Sequence, residues 1–447
     1  MRSPDFGLLL RKELRETVMS RSALLVAIAA GPLVAHSFAT AMDAYAEVSG
    51  VPGGAAALTQ ALSPLDGFVS PTFGAYAVLA TLLFPFVAIR SVSADKESGA
   101  HTLTIQGPFG LGGIVAAKFV ALMAAWLCLW LPGLFALGFW VSRGGHLDGT
   151  ETAWVLAGHA VRGAVVIALG LAAAAVSESG ASAAVLALAV TLGGWALDFA
   201  ATVQGGWVAA LAQFTPDAAL RTFEHGDVQL RVIGVSGVVV AAFVLLAITW
   251  LEPARSRRGR FARLAAGVVG AALLVVPAAM LKRAWDVTED RRNSFSRADE
   301  RALATISEPV HVIAYLGPED PRRTDLDHNV LRKLARVLPH FDVEYAAQTR
   351  TGLFEGAGSH YGEVWYEVGG KRELNRSSST PIVLETIYRL AGVAQPVAEE
   401  NAYPGYPLRT AASGWQVWLL AGGWPVLVLA AWLAYRRSGR IFSRSSS

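Results

Sequence analysis

The sequence offers almost no thiol chemistry. Of its 447 residues a single one is cysteine, Cys128, and it lies inside an apolar run. That excludes an intrachain disulfide framework, a CxxC redox pair and a cysteine-based metal site. Charge is scarce as well. Asp, Glu, Lys and Arg make up 16% of the chain, where a soluble domain carries roughly a quarter. The phosphate-binding pattern G-x-x-x-x-G-K-[ST] does not occur; Gly107 to Gly113 is glycine-rich but lacks the Lys-Ser/Thr pair that holds phosphate. HExxH, zinc-type Cys/His spacing and G-x-S-x-G are missing too. No catalytic constellation is visible, so an enzyme is not expected, and no directly bound cofactor or metal is expected. The net charge of +3 is small and the basic residues gather near the ends of apolar runs. Membrane topology explains that pattern better than nucleic-acid binding.

What the chain has in abundance is apolar length. Apolar residues make up 53% of it, and the mean hydropathy is +0.42. Apolar runs of bilayer length recur at about Ser22–Thr40, Thr72–Ile89, Ile114–Val141, Ala153–Val176, Ala181–Val203, Val232–Leu251, Phe261–Leu281 and Trp415–Tyr435. Each meets the roughly 20-residue requirement of a hydrocarbon core. The expected fold class is therefore a polytopic α-helical membrane protein with about eight transmembrane helices. The third run is long enough to be tilted or broken at Pro132-Gly133. Residues 4 to 19, with Leu8, Leu9, Leu10, Leu14 and Val18 on one side, read as an amphipathic helix for the membrane interface. The mixed-charge segment Arg11 to Glu16 is no short basic leader, so the first run is expected to stay as a signal anchor.

Lys and Arg set the orientation. One side carries Arg2, Arg11, Lys12, Arg15 and Arg21, then Arg90 and Lys96, then Arg255, Arg257, Arg258, Arg260 and Arg263, and finally Arg436, Arg437, Arg440 and Arg444. The opposite short loops carry only Arg143, Arg221 and the border residue Arg231. By the positive-inside rule both termini are expected in the cytoplasm. Eight spans return the chain to its starting side, so count and charge agree.

The one sizeable polar segment, 282–413, then falls on the extracytoplasmic side. Ser296 with Asp299 resembles a capping box. VHVIAYL, Val310 to Leu316, reads as a buried strand. Thr324 with Asp327 reads as a second capping box, opening a helix through Leu326, Val330, Leu331, Leu334, Val337 and Leu338. Phe341, Val343 and Tyr345 alternate as a strand, Gly369-Gly370 marks a hairpin, and Thr380-Pro381 opens a last helix ending at Gly392. The order β-α-β, then β-β-α, predicts an α/β domain, thioredoxin-like or flavodoxin-like. A redox role fails for want of cysteine.

Two ionisable residues stand inside apolar runs, Arg162 and Asp198. Such residues cost roughly 2.5–3.5 kcal/mol at mid-bilayer and need a partner. They are expected to pair across the bundle, as a structural pair or as part of a substrate route. His36 and His159 also lie in spans. The loop 204–230 is open to two readings, a short outer or re-entrant helix or a solvated loop.

The stretch Arg90 to Lys118, RSVSADKESGAHTLTIQGPFGLGGIVAAK, is the longest polar connection among the early runs apart from one Pro/Gly-rich loop. It resembles the cytoplasmic coupling segment of ABC type-2 transporter permeases, whose pattern runs roughly E-R-E-R-G-T-L-E-L-L-L-x-x-P with a later G-K. Asp95, Glu97, Gly99, Leu103, Ile105 and Pro108 fall on matching or similar types, and Lys118 stands at the later Lys. Ala100 and His101 depart from the family's Thr and Leu. The segment Asp286 to Ser296 with Glu308-Pro309-Val310 resembles the start of the outer domain of the gliding-motility-associated ABC auxiliary component (GldG-like), here in a shortened form.

Together the two resemblances imply a gliding-motility-type (GldF-like) permease fused to a GldG-like domain. The implied divisions are an interfacial helix 1–21, a six-span permease 22–251 and a basic cytoplasmic linker 252–263. A seventh span 264–281, the outer domain 282–413, an eighth span 415–435 and a basic tail 436–447 follow. The resemblance implies a transport subunit without its own ATPase, an exporter in the bacterial inner membrane. ATP would be used by a separate ATPase subunit docked on Arg90, Asp95, Glu97, Gly99, Leu103, Pro108 and Lys118. A second permease copy, identical or not, would complete a dimer. The competing expectation is a membrane scaffold or sensor whose outer domain binds an envelope partner.

Overall fold

The computed structural model describes residues 6–50, 63–106, 109–204, 206–252, 256–281, 283–317, 320–347, 360–397 and 403–444. The chain forms two units. One comprises Met1–Asp198, Leu211–Arg283 and Gly405–Ser447; the other comprises Phe199–Ala210 and Ala284–Pro404.

The first unit is a helical bundle. Among the described residues, eight helices are long and apolar enough to cross a membrane: Arg21–Ser49, Leu65–Glu97, Leu111–Ser142, Gly149–Val176, Gly180–Ala201, Leu230–Leu251, Arg258–Ala279 and Gly414–Arg437. They are called spans one to eight below. The protein is thus of the multi-pass membrane class. An amphipathic helix, Phe6–Met19, precedes them and buries Leu9, Glu13 and Thr17. Leu9 packs on Ile114 and Ala117 of span three.

Span one runs to Gly50, well beyond Thr40. Its polar extension is held from the chain that leads into span eight. Asp43 accepts from the Ala412 amide at 2.9 Å, and the Tyr45 hydroxyl donates to the Tyr406 carbonyl at 2.7 Å. Spans one and eight then run antiparallel. Trp424 Nε1 donates to the Ala27 carbonyl at 2.8 Å and Trp432 Nε1 to the Met19 carbonyl at 3.3 Å. The crossing needs Gly31, where a Cβ would stand 2.5 Å from the Leu420 carbonyl oxygen. Small residues serve this purpose in membrane bundles, because close backbone approach replaces the missing hydrophobic drive.

Prolines shape the spans in a regular way. Each of three π-helical turns, Leu65–Val69, Leu79–Leu83 and Leu419–Gly423, ends two residues before a proline: Pro71, Pro85 and Pro425. A proline lacks the amide for the i−4 carbonyl and its ring collides with that carbonyl. Widening the preceding turn relieves the collision without ending the helix. Span three instead breaks at Leu129-Trp130, and Pro132 lies in the first turn of the second half. The Gly133 amide at this break donates to the Tyr76 hydroxyl at 3.0 Å. An aromatic core closes one end of the bundle, with Trp140 stacked on Phe68 at 4.0 Å and Tyr45 edge-on to it at 5.0 Å.

The second unit holds a four-stranded sheet. The strand Val310–Ala314 pairs in parallel with Phe341–Tyr345 and antiparallel with Val364–Val368, which pairs antiparallel with Lys371–Asn375. Alternate residues of the central strands, Val310, Val312, Ala314, Val364, Tyr366 and Val368, are buried. They form one core with Leu326, Val330 and Leu334 of the crossover helix and Val383 and Ile387 of the last helix. The hairpin turns at Gly369 and Gly370, both at positive φ (56° and 80°), as a tight turn between twisted strands requires.

Ser296 caps the first helix by accepting from the Asp299 amide at 3.0 Å. The crossover helix differs from expectation: it starts at Pro321, and Asp320 rather than Thr324 is its cap, accepting from the Arg322 amide at 3.0 Å. Asp followed by Pro is itself a helix start, an N-cap before a residue with preset φ.

Candidate functional site

Span two does not stop at the end of its apolar run. It continues through Arg90 to Glu97 and ends at Gly99, whose φ of +73° only glycine adopts freely. A short helix, Ala100–Gln106, follows and span three starts at Leu111. Pro108 lies outside the described residues.

Lys118 organises this region. It is only 4% exposed, yet its ammonium group meets Glu13 Oε2 at 2.8 Å, Asp95 Oδ2 at 2.7 Å and the Ser91 carbonyl at 2.8 Å. Three elements join at one cation: the N-terminal helix, the end of span two and the start of span three. Glu13 is also buried and takes a second contact from Lys12 at 3.1 Å. Burial of this kind is tolerable only when the charges are opposed, and here the ammonium donates to Glu13 and Ser91 and lies against Asp95.

Lys96 does related work. It donates to the carbonyls of Ala174 and Ala175 at 3.0 Å and of Ser177 at 2.8 Å. A cation is thus placed on the negative end of span four, where the last carbonyls have no helical partner. Span two is therefore clamped to span three by Lys118 and to span four by Lys96.

The surface above this clamp is exposed. Leu103, on the short helix, is 71% exposed, and Arg90 and Glu97 face each other at 3.7 Å with both side chains well exposed. A surface pair of that length contributes little to stability. The N-terminal helix and the end of span two enclose a cleft of about 780 Å³ lined by Glu13, Glu16, Arg21, Arg90, Asp95 and Glu97. The structure thus brings Arg90, Asp95, Glu97, Gly99 and Lys118 together around one junction, with Leu103 on its outer helix.

Arg162 and Asp198 are not partners of each other. Arg162 donates to Asp217 and, at 2.6 Å, to the Thr81 hydroxyl. Asp198 accepts from both terminal nitrogens of Arg221, one at 2.6 Å. Both new partners belong to the helix Pro216–Glu224, capped by Thr215 through the Ala218 amide at 3.1 Å. That helix presents Asp217, Arg221 and Glu224 at i, i+4 and i+7, hence on one face. Glu224 lies 3.5 Å from the ring of His159, which is fully buried in span four. The hydrogen bonds that Arg221 donates to Asp198 hold its guanidinium above its ordinary pKa, a permanent cation. Of the two readings of loop 204–230, the short helix is the one present. Its i, i+4, i+7 charge spacing was the available signal that it docks on charged spans.

Among the described residues, no group of three or more His, Cys, Asp or Glu gathers as a metal-holding cluster. No protein-family model matches the chain, and no curated protein matches it either.

Proposed function

We propose that the chain is the transmembrane permease subunit of an ABC-type exporter, driven by a separate ATPase that docks on the 90–118 segment and the N-terminal helix. The observation that carries this reading is Lys118, which ties the N-terminal helix, span two and span three at a single buried ion cluster, with the short helix that carries exposed Leu103 following directly on span two. A partner pressing on Leu103 and the cleft beside Glu97 moves three elements together rather than one loop. Such coupling needs no catalytic residue in this chain. ATP binding and hydrolysis act through the partner's different affinity for two arrangements of the spans.

In this reading the basic ends of the spans put both termini in the cytoplasm of a bacterial cell and the sheet-bearing unit outside its inner membrane. The strand order, a parallel first pair followed by two antiparallel partners, favours the thioredoxin-like over the flavodoxin-like form of that domain. A second permease copy completes the transporter, with the GldG-like domain handling substrate on the far side. The test is stimulation of the ATPase by reconstituted permease. Replacing Glu97 and Leu103 with alanine is expected to lower stimulation severalfold while membrane insertion and thermal stability stay unchanged, since both side chains are exposed. Full stimulation by that variant would refute the docking site.

A further inference from the structure

An apolar groove of about 390 Å³ lies where spans one, three and eight meet beside the end of the N-terminal helix. Its walls include Val26 and Ala27 of span one, Cys128 and Leu129 of span three, and Leu427 and Trp432 of span eight. The volume is in the range of small-molecule sites, and nearly every lining atom is carbon. One end of the groove is charged. Arg436 lies over the Trp432 ring, its guanidinium 4.5 Å from the centroid, and Arg437 follows it. The hydrogen bond from Trp432 to the Met19 carbonyl puts this end of span eight beside the start of span one, where Arg21 stands. Arg21, Arg436 and Arg437 are all exposed. Glu16, on the preceding helix, is engaged by Lys12 at 3.0 Å.

We propose that this groove is a binding site for one anionic phospholipid, an acyl chain lying in the groove and the phosphate meeting Arg436 and Arg21. The chain alone gives no preference, because lipid tails are as apolar as the lining they would leave bulk lipid for. Selectivity comes from the cations at the groove's end, and basic pockets between spans take acidic headgroups for this reason. The arginines at its end favour an acidic lipid headgroup over an apolar helix of a second copy. The site does not depend on the transport reading.

Cys128 provides the readout, since it lines the groove, is exposed and is the sole cysteine of the chain. The full-length protein in mild detergent is labelled with N-ethylmaleimide, alone and with dioleoyl phosphatidylglycerol or phosphatidylcholine. Phosphatidylglycerol is expected to slow labelling about thirtyfold more than phosphatidylcholine, the preference that two basic residues near an anionic surface confer. Arg436→Gln with Arg21→Gln is expected to label at the wild-type rate without lipid and to lose that difference. Native mass spectrometry of the wild-type protein, which needs no variant, is expected to retain one phosphatidylglycerol per chain in preference to phosphatidylcholine. Equal protection by the two lipids, or no retained phosphatidylglycerol, would overturn the proposal. So would lipid-free protection that grows with protein concentration, which would mean that a second copy covers the groove.

Discussion

Lys118 and Arg162 set the terms at the scale of single residues, because a buried cation is stable only while its acids are in place. Removing one partner of such a pair costs about 3–5 kcal/mol, while removing both is far milder. Lys118→Met is therefore expected to lower the thermal midpoint of the purified protein sharply by stranding Glu13. Adding Glu13→Met should recover a large part of the loss. A double variant no better than the single would mean that the cluster is not a coupled unit. Arg162→Met is expected to behave likewise with Asp217→Met, and not to be rescued by Asp198→Asn, whose partner is a different arginine. The sequence shows Arg162 and Asp198 as ionisable groups in costly places, and Lys118 only through the resemblance of its segment. It does not show their partners, because Glu13 is 105 positions from Lys118 and Asp217 sits in a loop open to two readings.

Helices carry the next set of consequences. The eight spans were legible because apolar length is a property of each segment by itself. Their ends were less so: Asp43, Tyr45, Asp95 and Lys96 are polar, and partners elsewhere in the chain make their helical extensions worthwhile. The proline-linked π-turns were hidden too, since a proline in an apolar run reads equally as a kink or a stop. Gly31 is the helix glycine to test, because its close neighbour is backbone, the Leu420 carbonyl. Gly31→Leu is expected to push span eight from span one and accelerate proteolysis of the 403–415 connection in detergent, whereas Gly138→Leu, with open space around its Cα, should not. Equal proteolysis of the two variants would count against the close crossing.

In the sheet-bearing unit, Asp320 caps the crossover helix. Its hydrogen bonds from Arg322 hold the carboxyl below its usual pKa. A lowered folded pKa means stability that is present above the unfolded value, about 3.9, and lost as pH falls through the folded one. Amide protection in helix 321–337 of the full-length protein is thus expected to fall as pH drops below about 3.9 and on through the lower folded value. Asp320→Asn should flatten the fall; an unchanged acid limb would remove Asp320 as its cause.

The whole molecule has a bundle clamped at one end by buried ion pairs and a separate unit built on a four-stranded sheet. Span four is the most enclosed, with 78% of its central window buried, and span seven the least, with 0%. Spans five to eight therefore offer apolar surface to lipid or to another protein. The central claim is that an ATPase works this bundle from the end where Lys118 sits. Its most direct test is to purify the tagged full-length protein in mild detergent and identify what accompanies it by mass spectrometry and ATPase assay. The account predicts a co-purifying ATPase with a Walker A motif, lost when Glu97 and Leu103 are replaced by alanine. A chain that purifies with partners of its sheet-bearing unit alone, and with no ATPase activity, would contradict it and favour a membrane scaffold or sensor.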